Sequence, residues 1–247
     1  MLAVSSPIGD VSFVMTAPAW DGTAAWGIGL MGLVMGSLWV GILSHYHPCR
    51  SRTLWLIFPV WCLLTATLAR SGVLARMDWM PPPVALLIPC VVLVSIVLGV
   101  STFGKGTAEK ASWALLIGLQ AFRLPLELIM HHASQVHIMP QALSFDGSNF
   151  DIATGVMAAF LGSAMALGAP VPKWMVWLWN LWGMGCLLMI TMIAVITSPM
   201  VRALGDEPEN VNTWVLYFPY VWLPTLLVVV AFSGHVVVTR KLLMSDR

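Results

Sequence analysis

The chain has 247 residues, of which 59% are hydrophobic and only 9% charged, and its formal net charge is +1. A soluble domain carries about 25% charged residues, so the solvent of most of this chain is lipid. No basic tract points to nucleic acid, and no Walker loop, dinucleotide fingerprint or zinc-protease motif is present.

The N-terminal stretch "MLAVSSPIGDVSFVMTAPAW" lacks a basic n-region and contains Asp10. It does not read as a cleavable signal, and residues 1–23 are expected to form a short extracytoplasmic leader. A membrane-crossing helix needs about 20 mostly apolar residues. Seven stretches meet that need: 24–43, 53–70, 83–101, 112–131, 150–169, 174–198 and 213–239. The expectation is an all-α, polytopic integral membrane protein, with a single seven-helix domain over 24–240 and a short inner tail over 241–247.

The first span carries Gly32 and Gly36 at four-residue spacing. The second is short and contains Pro59; the third, "VALLIPCVVLVSIVLGV", has no ionisable group. The fifth repeats small residues at Ala158, Gly162 and Ala166. Such faces let helices approach closely, within the bundle first and between copies in a homo-oligomer second. The sixth begins "KWMVWLWNLW", an aromatic belt of the kind that sits at headgroup level.

Basic residues set the orientation. With the N-terminus outside, Arg50, Arg52, Lys105, Lys110, Lys173, Arg240, Lys241 and Arg247 fall inside, and only Arg70, Arg76 and Arg202 fall outside. The carboxylates mirror them, with only Glu109 and Asp246 inside. The expected topology is N-out and C-in. Cys49, Cys62, Cys90 and Cys186 show no C-x-x-C spacing, so buried free thiols are expected and no disulfide framework.

The fourth span holds the least expected residues, in "QAFRLPLELIMHH". Gln120, Arg123, Glu127 and His131 are spaced by three, four and four, which puts them on one helix face. Arg123 then lies about 5 Å and Glu127 about 10 Å further out than Gln120. A charge at the bilayer centre costs about 3 kcal/mol or more, so the stripe must face the bundle interior. Pro125 lacks an N–H and frees the carbonyl of Ala121. One reading makes Arg123 and Glu127 a self-neutralising pair that glues helices. The other makes them functional, meeting Asn149 and Asp151 of "FDGSNFD" at an outer mouth rimmed by Arg202, Glu207 and Asn210. Asn149 or Asp151 also suits the N-cap of the fifth span. Asn180 and His235 are expected to continue the polar path toward the inner side.

His131, His132 and His137 suggest a weak outer metal site, although H-H-x4-H matches no metal signature. No pair of histidines lies at matched depth in facing helices, which counts against a membrane cytochrome. No lysine in the seventh span supports a retinal Schiff base. No cofactor is assigned.

"QAFRLPLELIMHH", "IMPQALSFDGSNFDIATG", "SPMVRALGDEPEN" and "YFPYVWLPTLLVVVAFSGHVVVTRKLL" resemble stretches of poorly characterised polytopic bacterial membrane proteins. The resemblance covers about the C-terminal half and implies a multi-pass protein of the bacterial inner (plasma) membrane, with no activity attached. The leading functional expectation is a carrier or channel for a proton, ion or small polar solute, with an outward-facing polar pocket built on Gln120, Arg123, Glu127, Asn149, Asp151, Asn180 and His235. The alternatives are a metal- or haem-dependent membrane enzyme or redox component, and a non-catalytic sensor or assembly partner. The expected partners are the bilayer and a small solute or ion.

Overall fold

The computed structural model of the protein describes Met15 and residues 17–245. Most of the expected leader, with Asp10, and the end of the expected tail, with Asp246 and Arg247, lie outside the described residues. Within the described residues the fold is all helical. The helices are α1 (Gly22–Tyr46), α2 (Ser51–Arg70), α3 (Pro83–Val100), α4 (Thr102–Lys110), α5 (Trp113–Leu119), α6 (Arg123–Gln135), α7 (Asp151–Ala166), α8 (Lys173–Ile196) and α9 (Val229–Ser245).

Among the described residues, six helical segments are long and apolar enough to cross a membrane: Gly22–Tyr46, Pro48–Arg70, Pro83–Val100, Trp113–Gln135, Lys173–Ile196 and Leu223–Ser245. The expected fifth span is shorter than its hydropathy suggested. Helix α7 has 16 residues, which is about 24 Å against a hydrocarbon core of about 30 Å. Gly168 ends it in the left-handed region at φ 84°, and Pro170 and Pro172 follow. The seventh span is also relocated. Residues 213–222 are apolar but irregular, and the helical segment runs from Leu223 to Ser245 instead of over 213–239. Pro219 and Pro224 explain the late start, because each lacks the N–H that a helix interior needs.

Local chemistry fixes the ends. Asp21 caps α1, its Oδ1 accepting from the Ala24 N–H at 2.8 Å. Ser101 and Ser112 cap α4 and α5 in the same way. Helix α4, unforeseen from hydropathy, packs its small residues against α9, α1 and α3.

The last segment is the hub. Of its most apolar window, 67% is buried, against 22% for the segments containing α2 and α3, whose leucines and valines are left for lipid. Helices α5 and α6 lie on α7, and α8 lies between α7 and α9. Gly32 and Gly36 serve contacts inside the chain, facing Trp222 and Phe58. At the α5–α7 contact, a Cβ on Gly162 would stand 2.7 Å from the Gly118 Cα. At the α6–α7 contact, a Cβ on Gly155 would strike the backbone of Leu124 and Arg123.

Gly155→Val therefore forces α6 off α7. Overpacking of this kind costs about 1–3 kcal/mol, so thermal unfolding of the detergent-solubilised protein is expected at a lower temperature than wild type. An unchanged midpoint would contradict the close approach.

Candidate functional site

The polar stripe begins at a break. Pro125 gives the Ala121 carbonyl no amide partner, and Gln120–Phe122 tightens into a 3-10 turn before α6 starts at Arg123. The turn aims the guanidinium of Arg123, only 1% exposed, into the bundle. Its Nε donates to Asp151 Oδ2 at 2.6 Å, and its Nη2 lies 2.5 Å from Asp151 Oδ1. Only the Nε–Oδ2 contact has hydrogen-bond geometry; Asp151 Oδ1 meets the charge of Nη2 without a hydrogen bond. Nη2 also reaches the Gly183 carbonyl at 3.5 Å, and Nη1 lies 2.8 Å from His235 Nε2.

A guanidinium only donates, so His235 Nε2 accepts. The imidazole is then neutral and carries its proton on Nδ1, which donates to Asn180 Oδ1 at 2.9 Å. Asn180 Nδ2 in turn donates to Thr239 Oγ1 at 2.8 Å. The His235 ring packs on Trp179, with centroids 4.9 Å apart, and Trp179 Nε1 donates to the Thr154 carbonyl.

Glu127 is one turn above Arg123 and only 2% exposed. Both its oxygens lie 2.9 Å from Asn149 Nδ2, which also donates to the Leu143 carbonyl at 3.1 Å. Asn149 Oδ1 accepts from the Asp151 N–H at 3.1 Å, so Asn149 holds the first amide of α7 while gripping Glu127; the N-cap position itself is Phe150, not Asn149 or Asp151 as expected. One amide group thus serves three acceptors. A carboxylate has room for about four hydrogen bonds, and Glu127 is thinly held.

Six of the seven expected residues are linked in one hydrogen-bonded network, and Gln120 stands outside it. Arg123, Asp151, Asn149 and Glu127 form one arm, and His235 and Asn180 the other. Gln120 packs on Gly234, beside His235, with neither amide atom hydrogen-bonded. Two expectations are corrected. Arg123 pairs with Asp151 across helices and not with Glu127 on its own helix. His235 lies level with Arg123, not toward the inner end, because the last helix starts ten residues later than its hydropathy indicated. Thr154, Trp179, Gly183 and Thr239 were missed. Thr239 was readable from its i+4 spacing to His235, whereas Gly183 contributes a carbonyl that no side-chain pattern reports.

Arg123, Glu127 and Asp151 border a cavity of about 40 Å³, otherwise walled by apolar residues of α6, α8 and α9 such as Leu126, Leu187 and Ala231. A polar cavity of about 420 Å³ lies among the loops, lined by Ser134, Gln135, His137, Met139, Gln141, Glu209 and Asn210. The two share no lining residue, so the loop cavity is not the expected outward pocket reaching Glu127. The expected rim residues turn to near neighbours, Arg202 to Asp206 and Asn210 to Glu207.

The three candidate metal histidines take separate directions. His131 stacks on Phe145 and meets Ser144 and Asp146; His132 meets Asp21; His137 lines the loop cavity. Among the described residues, no three His, Cys, Asp or Glu side chains gather as a metal site. Asp146 is held below the ordinary aspartate value of 3.8, chiefly by the Ser144 hydrogen bond and further by Gln141 and His131. Asp21 is likewise lowered, chiefly by the Ala24 N–H.

Two measurements test this arrangement. Removing one partner of a buried ion pair costs about 3–5 kcal/mol, so Arg123→Leu and Asp151→Leu are each expected to lower the unfolding midpoint sharply. The double variant should lose less than the sum; additive losses would deny the pairing. For Asp146 the depressed carboxyl stabilises the folded loop above its unfolded value near 3.8 and loses that contribution as pH falls through the lower folded value. The protection of amides in residues 136–150, taken relative to their intrinsic exchange rate at each pH, is therefore expected to fall below about pH 4, and less so in Asp146→Asn.

Comparison with family models, with curated proteins and with solved structures finds no match to this chain.

Proposed function

We propose that this is a multi-pass membrane carrier or channel for a proton, ion or small polar solute, with Arg123, Glu127, Asp151 and His235 as its working groups. One observation carries the reading. All four ionisable side chains are at most 5% exposed, at the centre of a bundle built for lipid, and three of them border one cavity. Ionisable groups at such depth are expensive and characteristically mark ion or substrate pathways.

The backbone supports the same reading. The two segments that bring in Arg123 and His235 both leave α geometry beside the cavity, the first in the 3-10 turn at Gln120–Phe122 and the second in the π-helix Leu223–Val228. Broken helices at membrane depth are how carriers place ion sites, and π segments recur at functional positions. In this reading the short helix α7 is a seventh crossing, thinned at the end marked by Gly168. The N-out, C-in orientation is supported by the basic groups gathered at one end. Arg240 binds the carbonyls of Gly99 and Ser101, Lys241 binds that of Ala108, and Arg50 lies over Phe103. The bacterial inner membrane is supported only by the resemblance of the C-terminal half.

A second reading, that the charges only hold helices together, is favoured by the buried Arg123–Asp151 ion pair. Glu127 separates the two, because its single amide contact contributes little glue. Protein-dependent flux into liposomes, measured over a panel of ions and small polar solutes, is expected in wild type and lost in Glu127→Gln at equal expression. Normal flux in that variant would sink the carrier reading.

A further inference from the structure

We infer that the species moved is the proton, delivered to Glu127 from the histidine-loop end of the bundle through water held in two adjoining cavities. This rests on the carrier reading above and narrows it to one cargo and one route.

Volume is the first argument. A water molecule needs about 10–15 Å³ of such cavity space. The 40 Å³ beside Arg123, Glu127 and Asp151 takes a few waters, and has no room for a sugar, an amino acid or an organic anion. The sole guanidinium there is already closed on Asp151, so an incoming anion meets no open cation.

Continuity is the second argument. A cavity of about 80 Å³ lies between α3, α8 and the segment leading into α9, and it shares Met130, Ile190, Leu223 and Val228 with the core cavity. Its far wall carries Ser198, Asn212 and Trp214. Asn212 is 4% and Trp214 1% exposed, yet Asn212 Oδ1 and Trp214 Nε1 have no hydrogen-bond partner among the described residues. A buried polar atom without a protein partner is the kind of group that anchors ordered water. One is an acceptor and the other a donor, as a hydrogen-bonded water chain requires. The 420 Å³ loop cavity shares no lining residue with either and is not on this route.

The chemistry balances without any further reactant. Hydronium at the core cavity gives one proton to the Glu127 carboxylate, leaving water and a neutral carboxylic acid. The reverse step gives the proton back to water, and from there to Asp151 or outward. The groups facing Glu127 are Arg123 on α6, Asp151 on α7 and, beyond Arg123, His235 on α9, with the Cys186 thiol of α8 beside Thr154. With both carboxylates ionised and His235 neutral, the core carries one uncompensated negative charge, and one proton on Glu127 removes it.

The test uses the full chain in liposomes holding a pH-sensitive dye, with a potassium diffusion potential set by valinomycin. Wild type is expected to move protons faster than empty liposomes, Glu127→Gln to fall to the empty-liposome rate, and Glu127→Asp to keep a slower flux. Asn212→Leu and Ala231→Val obstruct the route and remove no carboxylate. Both are expected to slow proton flux, with the unfolding midpoint of Asn212→Leu close to that of wild type, since the substitution breaks no hydrogen bond between Asn212 Oδ1 and any described residue. Undiminished proton flux in Glu127→Gln, or in both obstructing variants, overturns the inference. Transport of another ion or solute with no proton movement overturns it and leaves the carrier reading standing. No protein-dependent flux of any kind overturns both.

Discussion

A guanidinium buried at bilayer depth is the constraint to which the rest of this bundle answers. Removing an ion from water costs several kcal/mol even after relaxation, and only good geometry with further hydrogen bonds offsets it. Arg123 meets that demand with partners from three other helices: the Asp151 carboxylate on α7, the Gly183 carbonyl on α8 and His235 on α9. Each helix is thereby fixed in rotation and height relative to α6. Apolar packing between lipid-facing helices gains little of the hydrophobic effect, since lipid tails are as apolar as leucine. Positional information has to come from polar contacts, and here it comes from one side chain.

The glycines follow from the same constraint. A Cβ at Gly183 would collide with the His235 ring, one at Gly234 with Gln120 Nε2, and one at Gly155 with the backbone of Leu124 and Arg123. These are the positions at which α8, α9 and α7 come near enough for short contacts to Arg123 and its partners. These three glycines are the clearance that a four-helix polar junction needs.

Much of the site was legible in the sequence because lipid makes polar residues conspicuous. Gln120, Arg123, Glu127, Asn180 and His235 stand out against their spans for an energetic reason, and Asn149 and Asp151 by their place before a span. Their partnerships were not legible. Spacing offers Arg123 the carboxylate one turn above it, but the cross-helix Asp151 puts one oxygen in a hydrogen bond with Nε and the other in close charge contact with Nη2, and that contact wins. Depth was misread where hydropathy ran past the helix: 213–222 is greasy enough to count as a span, while Pro219 and Pro224 keep it irregular. Helix α4 was missed for the opposite reason, since a nine-residue polar helix leaves no hydropathy signal. Its Ser101 cap and its Lys105–Glu109 spacing were the available clues.

Asn149 ties the chemistry of Glu127 to the mechanics of the bundle. Its single amide nitrogen holds both Glu127 oxygens and the Leu143 carbonyl, while its oxygen holds the first N–H of α7. An ionised Glu127 accepts from that nitrogen on two sides. A protonated Glu127 has one oxygen that donates, and the nitrogen cannot accept from it. The amide then turns or shifts toward the remaining oxygen, and the Leu143 loop and the N-terminus of α7 lie at its other ends. Asp151 is the residue at that N-terminus, closed on Arg123. In the proton carrier proposed above, Asn149 is the link by which a proton on Glu127 reaches the Arg123–Asp151 pair. Such a link is what a carrier needs if loading one group is to loosen another.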